Sequence, residues 1–230
     1  MLLVACKPDR LLAASASWQK WCTNHHLPVA FLPLSGVELD RFRPVGPKIK
    51  LELRKKLGFS DRTVILHVGH LRHRRNLAAM KEITKDRSKQ VVIVISSALR
   101  SDANITEDLQ SAGCVVRCGY VPHIEEYYQA ADCYVFPTLD PEAAVSVPLS
   151  VLEAMATNIP VVTTPFGGLR DLFQSTPGLE FVPSDAMAEL PAAVDRVLSI
   201  PHVNLRDRVQ PHDWNAIGAR LVRELRAVVS

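Results

Sequence analysis

The 230-residue sequence predicts an α/β fold, a doubly wound domain on a parallel sheet of about six strands. Two observations carry this expectation. From residue 63 onward, short apolar runs alternate with helical patterns six times. The apolar runs are rich in Val and Ile and do not alternate with polar residues, as in strands covered on both faces. Repeated β-α units of this kind build a Rossmann-like sheet, with ligands at the carboxyl ends of the strands. A composition of 47% hydrophobic and 22% charged residues suits a soluble globular chain and is too apolar, with charge too balanced, for disorder.

In chain order, residues 10–14 read as a strand, 17–25 as a helix and 29–32 as another strand. A turn follows through Leu34-Ser-Gly-Val-Glu-Leu-Asp-Arg-Phe42. This opening fits poorly as the start of the main sheet. A basic helix covers 50–57. Strands then fall at 63–68, 91–95, 114–117, 133–136, 160–163 and 179–182. Their helices begin at about 76, cover 104–112, 124–131, 149–156 and 169–173, and end with one over about 187–198. An amphipathic helix containing Trp214 fills 213–229. There is no internal repeat and no low-complexity segment.

Several function classes fall away at once. No apolar run approaches the roughly 18–20 residues that cross a bilayer. The five cysteines (Cys6, Cys22, Cys114, Cys118, Cys133) are odd in number. Cys114 and Cys118 would stand about 13 Å apart along one strand face, beyond the ~7 Å reach of a disulfide. Reduced thiols in a cytoplasmic protein are therefore expected. The opening Met1-Leu-Leu-Val-Ala-Cys6 superficially looks like a lipoprotein cleavage box, but it lacks a basic start and a long enough apolar run. Residues 41–75 hold eleven Lys/Arg and two Asp/Glu, a local +9 on a chain of net +3, so the rest sums to −6. That basic stretch suggests a surface that meets phosphate, or a solvated Lys/Arg face on the helix at 50–57. It lacks the interleaved aromatics of a nucleic-acid surface, and no nucleic-acid partner is expected.

Three segments carry chemistry. The first, Val68-Gly69-His70-Leu71-Arg72-His73-Arg74-Arg75-Asn76-Leu77, joins a strand end to a helix start. Its glycine lets backbone approach a ligand, and helix-end amides with guanidinium groups suit a diphosphate; a basic loop without a ligand has the same residues. The second is Glu142-Ala-Ala-Val-Ser-Val-Pro-Leu149-Ser-Val-Leu-Glu153-Ala-Met-Ala156. Pro148 suits the first helical position, so the Leu149 and Ser150 amides point out toward an anion. Glu153, one turn on, is placed to accept bonds from sugar hydroxyls, or lies on an exposed helix face. The third, Pro160-Val-Val-Thr-Thr-Pro-Phe-Gly167-Gly168-Leu-Arg-Asp171, has two glycines at a strand-to-helix turn, read either as close ligand approach or as turn geometry.

Together, in this order, the segments resemble the carboxyl-terminal half of the GT-B glycosyltransferases of the group 1 type (family 4), which are retaining, nucleotide-sugar-dependent enzymes. That family runs Gly-Arg-Leu-x-x-x-Lys, Gly-x-Val before a helix, a Pro-Ser strand end, Glu-x₇-Glu-Ala-Met-Ala, then Pro-Val-Val-x-Thr-x-x-Gly-Gly. The corresponding stretches here are Gly69-His70-Leu71…Arg75, Gly119-Tyr120-Val121, Pro137-Thr138, Val145…Glu153-Ala-Met-Ala156 and Pro160-Val-Val-Thr-Thr…Gly167-Gly168. Leu34…Gly36-Val37…Phe42-Arg-Pro44 is similar to the family's interdomain segment, and Asp213-Trp214 to the start of its last helix.

The resemblance implies a donor site for a nucleotide diphosphate sugar. In it Arg75 contacts the diphosphate beside Gly69 and His70, and the Leu149 and Ser150 amides meet the distal phosphate. Glu153 holds the ribose hydroxyls, Tyr120 and Val121 meet the base through backbone, and Gly167 and Gly168 line the cleft. It implies no obligatory metal or cofactor, and no carboxylate pair or His cluster in the sequence reads as a metal site. It also implies a division into 1–40 (remnant of an amino-terminal domain and the interdomain segment), 41–205 (the nucleotide-sugar-binding domain) and 206–230 (a carboxyl-terminal helix).

This sequence departs from the family at three points. His70 replaces an arginine, making one diphosphate contact titratable. Val145 replaces the first glutamate of the Glu-x₇-Glu pair, with Glu142 as the candidate substitute on a longer loop. The resemblance implies that the amino-terminal acceptor domain, with its reaction-centre histidine, lies outside these 230 residues, so catalytic residues within this chain stay unassigned. The implied function is the donor-binding half of a transferase that is inactive alone, the acceptor being unknown. Self-association through an exposed interdomain face is a further expectation, as is a cytoplasmic location, with a peripheral place at the membrane open to the full-length enzyme. A non-catalytic nucleotide- or partner-binding module of the same ancestry is the alternative.

Overall fold

The computed structural model describes residues 8–33, 35–70, 73–95 and 103–229. Cys6, Leu34, Leu71 and Arg72, which the sequence reading used, lie outside the described residues. A six-stranded, all-parallel sheet forms the body: β3 (Thr63–Gly69), β4 (Lys89–Ile95), β5 (Val115–Cys118), β6 (Cys133–Phe136), β7 (Val161–Thr163) and β8 (Leu179–Phe181), in the order β5-β4-β3-β6-β7-β8. The chain walks outward from β3 to β5, then returns to place β6 beside β3. The order therefore reverses between β3 and β6, and the carboxyl ends of those two strands bound the crevice where doubly wound sheets bind ligands.

The lack of alternation in the strands has a direct structural cause. Val64, Leu66, Val68, Val92, Val94, Tyr134 and Phe136 face one buried cluster, which includes Tyr128 and Ala130 of α5 (Ile124–Ala130) and Val151, Leu152 and Met155 of α6 (Leu149–Ala156). Ile65, Val91, Ile93, Ile95, Cys133 and Val135 face the other cluster. That side is closed by α3 (Met80–Ile83), α4 (Ala103–Ser111) and α8 (Leu190–Leu198). With both sheet faces covered, most strand positions are apolar, and His67, Lys89, Gln90 and Thr163 are the buried polar exceptions. Short α7 (Leu169–Leu172) and α9 (Arg206–Val209) complete the layers.

Several expected elements differ at their ends, and two of the differences have a clear cause. The helix expected from about residue 76 is two 3₁₀ turns, His73–Arg75 and Leu77–Ala79, before four-residue α3. Asn76 sits between the turns at φ 54°, a left-handed conformation that no α-helix propagates through. Strand β4 begins at Lys89, two residues early; buried Lys89 is held by Asp86 at 2.7 Å and Asp195 at 2.5 Å.

The basic helix α2 (Pro47–Leu57) is largely exposed, as expected of a solvated Lys/Arg face, and three of its charges are also paired with acidic residues. Lys50 Nζ meets Asp132 at 2.7 Å, Arg54 pairs with the same carboxylate, and Lys56 Nζ reaches Glu126 at 2.5 Å. Arg54 Nε also donates to the Ala130 carbonyl at 2.9 Å, and Asp132 accepts from the Val64 amide at 2.8 Å. The charges clamp α2 onto the α5–β6 junction.

Residues 8–33 form a separate β-α-β unit. β1 (Leu11–Ala13) and β2 (Val29–Phe31) pair in parallel around α1 (Ala16–Asn24), which Ser15 caps by accepting from the Trp18 amide at 3.3 Å. The last helix, α10 (Trp214–Val229), reaches back to this unit: Arg10 Nε donates to Glu224 at 2.8 Å and Arg220 to the Phe31 carbonyl at 3.1 Å. Between the two units, Arg206 donates to the carbonyls of Leu39 (2.9 Å), Phe42 (2.7 Å) and Ala156 (2.6 Å), tying the connecting segment to the end of α6. Among the described residues no helix is long and apolar enough to cross a membrane.

Candidate functional site

A cavity of about 560 Å³ opens at the reversal point between β3 and β6. Its lining brings together Gly69, His70, Arg75, Glu142, Leu149, Ser150 and Glu153, residues from two junctions far apart in sequence. Another, smaller cavity beside Asn76 and Asp108 is lined mainly by Leu77, Ala78, Ile105 and Leu109 and holds none of these seven.

The first junction is made rigid by the second. The Asn76 side chain donates to the Pro137 carbonyl at 3.1 Å, the Thr138 hydroxyl to the Arg75 carbonyl at 3.5 Å, and the Tyr134 hydroxyl to the Val68 carbonyl at 3.3 Å. Arg75 is consequently a buried cation, only 6% exposed, with its guanidinium 5.8 Å from the Phe136 ring centre. Gly69 creates the room for it: a Cβ there would stand 3.0 Å from both Arg75 Nη1 and His67 Nε2.

His67 lies directly behind. It is fully buried, its Nδ1 bonds to the Val135 carbonyl at 2.8 Å, and burial, with a smaller contribution from Arg75, lowers its pKa to about 4. The ring is neutral at physiological pH, with Nδ1 carrying the proton.

The second junction is the start of α6. Pro148, at φ −65°, is the cap residue just before the helix rather than its first member, and the Val151 amide bonds back to its carbonyl at 3.1 Å. Leu149 and Ser150 occupy the first turn, where an α-helix has no carbonyl to offer their amides. Both residues line the same cavity as Arg75. A cation and a helix amino terminus facing one space can hold a phosphate from two sides.

Glu153 is not on an exposed helix face. It lines the cavity half-buried and accepts a 2.6 Å hydrogen bond from the Tyr128 hydroxyl. Its carboxyl pKa is raised, chiefly by burial and further by Glu38 and Glu125, while Tyr128 and Arg41 oppose the rise. Arg41 comes from the connecting segment; its Nε meets Glu125 at 2.8 Å and it donates to the Pro122 carbonyl at 3.3 Å.

At the opposite rim the wall is apolar: Ala143, Ala144 and Val145 line it, with Val145 well exposed. Glu142 stands there too, paired with Arg74, which also approaches Asp140 at 3.4 Å.

Four expected residues are not in the lining. Tyr120 is 85% exposed and Val121 packs against the core. Gly167 and Gly168 stand one layer back: the Gly168 amide donates to the Ser146 carbonyl at 2.8 Å, and at φ 52° Gly167 lies so close that a Cβ would overlap that carbonyl. They shape the loop that delivers α6 instead of facing the cavity. Conversely, Val68, Ile124, Ala143, Ala144 and Pro148 line it and were not among the residues expected to contact the donor. Three of them sit inside the Glu142–Glu153 segment, so proximity to that motif could have found them; Ile124 carried no sequence signal. Among the described residues no three His, Cys, Asp or Glu side chains converge as a metal site.

A six-stranded parallel sheet with a crevice at its reversal defines a doubly wound, Rossmann-like α/β domain. The family model for glycosyl transferases group 1 matches residues 62–199, and the chain belongs to that family. Among its relatives, a Bacillus subtilis protein named as the teichuronic acid biosynthesis glycosyltransferase TuaC is 30% identical over 163 residues, covering 68% of this chain and 38% of the relative. A Corynebacterium glutamicum GDP-mannose-dependent monoacylated α-(1-6)-phosphatidylinositol monomannoside mannosyltransferase is 29% identical over 175 residues, covering 71% and 44% respectively. The chain thus spans about two fifths of the curated relatives it matches. Its fold matches sucrose-phosphate synthase from Thermosynechococcus elongatus (TM-score 0.79, 23% identity, 100% of this chain and 61% of that one). It also matches Anabaena Alr3699/HepE solved with UDP (TM-score 0.76, 17% identity, 95% and 64%).

Proposed function

We propose that this chain is the donor-binding half of a retaining glycosyltransferase that moves a sugar from a nucleotide diphosphate to an acceptor. The observation that carries this reading is the single cavity joining buried Arg75 to the amide end of α6, with Glu153 one turn along. A diphosphate fits between the cation and the amides, and a ribose diol fits the carboxylate. In the transfer, the sugar C1–O bond to the diphosphate breaks and its electron pair leaves on the phosphate oxygen. The acceptor hydroxyl forms the new C1–O bond and releases its proton to solvent or a base. The charge developing on the departing diphosphate falls between Arg75 and α6, and the reading assigns no step to a metal. The structural neighbour solved with UDP supports a nucleotide as the ligand class.

The acceptor and a reaction-centre histidine belong, on this reading, to a partner domain, so the isolated chain binds nucleotide without transferring sugar. Calorimetry with UDP, GDP and ADP tests it. One of the three should bind in the micromolar range, and Arg75→Ala or Glu153→Ala should weaken that binding by about tenfold or more. The Val145 wall and His70 favour a second reading, a non-catalytic module that has lost donor contacts. Absence of binding to all three nucleotides selects that module, and sugar transfer by the chain alone contradicts the half-enzyme reading.

A further inference from the structure

We propose that Tyr128 is a positioning residue for nucleoside recognition: its buried hydroxyl fixes the Glu153 carboxylate in the orientation that meets a vicinal diol. This rests on the donor-site reading and deepens it to a preference for ribonucleotides over 2′-deoxyribonucleotides.

The geometry is specific. Tyr128 is fully buried, and its hydroxyl donates to Glu153 Oε2 at 2.6 Å across 25 residues of sequence. The ring cannot swing away: it packs edge-on against Phe42 with centroids 5.6 Å apart, and lies 5.7 Å from the Tyr134 ring. Phe42 is itself held by Arg206, which donates to its carbonyl at 2.7 Å and to the Ala156 carbonyl at the end of α6 at 2.6 Å. One oxygen of Glu153 is thus committed to the protein, and Oε1 is the oxygen for a ligand in the cavity that Glu153 lines. A carboxylate pinned at one oxygen loses less conformational freedom when a diol binds.

The hydroxyl has a second effect. Glu153 is pushed toward its neutral form by burial and by Glu38 and Glu125, and toward its charged form by Tyr128 and Arg41; Tyr128 is packed against it from α5, and the other three from the connecting segment and α5. The charged form is acceptor-only and makes the stronger bonds to ribose hydroxyls. Removing the phenol oxygen takes away one of the two opposing groups, so Glu153 protonates at higher pH.

The test uses the full chain with UDP, GDP and ADP and their 2′-deoxy counterparts, measured by calorimetry from about pH 8 to about pH 5. The wild-type chain should prefer its ribonucleotide over the deoxy form by about tenfold, the size expected of a charge-assisted hydrogen bond. In Tyr128→Phe, which keeps the packing ring, that preference should fall to about threefold or less, and the acid-side loss of affinity should begin at higher pH. The double variant with Glu153→Gln should show no further change in preference. Circular dichroism reports whether Tyr128→Phe is folded. Should it not fold, the wild-type chain still decides: its deoxy discrimination must decline on acidification as Glu153 protonates, and pH-independent discrimination overturns the proposal. A folded Tyr128→Phe with unaltered preference and pH profile overturns this inference alone. A wild-type chain that binds no nucleotide overturns the donor-site reading and this inference with it.

Discussion

Acidification should destabilise this chain through His67, and the size of the effect follows from its surroundings. The imidazole is fully buried in β3, between the Tyr134 and Phe136 rings at 6.2 and 6.1 Å, and its Nδ1–H is committed to the Val135 carbonyl. Burial, aided by Arg75, lowers its pKa from 6.5 to about 4. The unfolded chain therefore takes up a proton as the pH falls through about 6.5, while the folded chain stays neutral until about 4. Stability from this group is fully present above the higher value and is lost progressively toward the lower one. A gap of about 2.5 pH units corresponds to about 3 kcal/mol in total, of which about 2 kcal/mol is lost between pH 7 and pH 5. Urea unfolding of the wild-type chain and His67→Phe at those two pH values isolates the effect. Glu153 and His212 are present in both proteins, so their titrations cancel in the difference. The stability difference between the two proteins should change by about 2 kcal/mol in favour of the variant as the pH drops. A difference that does not move with pH refutes the assignment of a neutral, proton-resistant His67.

Three further outcomes follow from the same geometry. Gly167→Ala should cost about 1–3 kcal/mol in thermal unfolding, because a side chain at φ 52° would overlap the Ser146 carbonyl. It should also weaken nucleotide binding through the displaced start of α6, although Gly167 does not line the cavity. Arg206→Ala leaves three carbonyls without their donor and should cost about 2–4 kcal/mol in urea unfolding, against a small effect for exposed Arg226→Ala. For His70, which lines the cavity, nucleotide affinity should rise as the pH falls from about 8 to about 6, and His70→Gln should remove that slope in calorimetry.

The sheet was legible because its signal is local. Strand β6 and helix α6 fall on the residues the apolar pattern marked, and the other strands differ by one or two residues at their ends. The misses have particular causes. Nothing in a periodicity argument shows that Asn76 adopts a left-handed conformation, so the 3₁₀ turns after Arg75 read as one helix. Lys89 looks too polar to start a buried strand until Asp195, from a distant helix, arrives beside it. The site was half legible. Arg75, Glu153 and the Leu149–Ser150 amides were marked by motif, while Tyr128, His67 and Ile124 gained their roles only when β3, α5 and α6 packed together. Gly167 and Gly168 were expected to line the cleft, and the structure instead gives their alternative reading, a tight turn against Ser146. The basic stretch at 41–75 pointed to phosphate as a whole, yet Lys50, Arg54 and Lys56 are bound to Asp132 and Glu126, and among its described basic residues it is Arg75 and His70 that line the cavity.

The central claim is that Arg75 and the start of α6 grip one diphosphate. A crystal structure of this chain grown with the nucleoside diphosphate that binds it best tests that claim most directly. The account predicts phosphate oxygens within hydrogen-bond reach of both the Arg75 guanidinium and the Leu149 and Ser150 amides, with the ribose hydroxyls on Glu153. A nucleotide seated elsewhere, or one touching Arg75 while α6 faces only solvent, contradicts it.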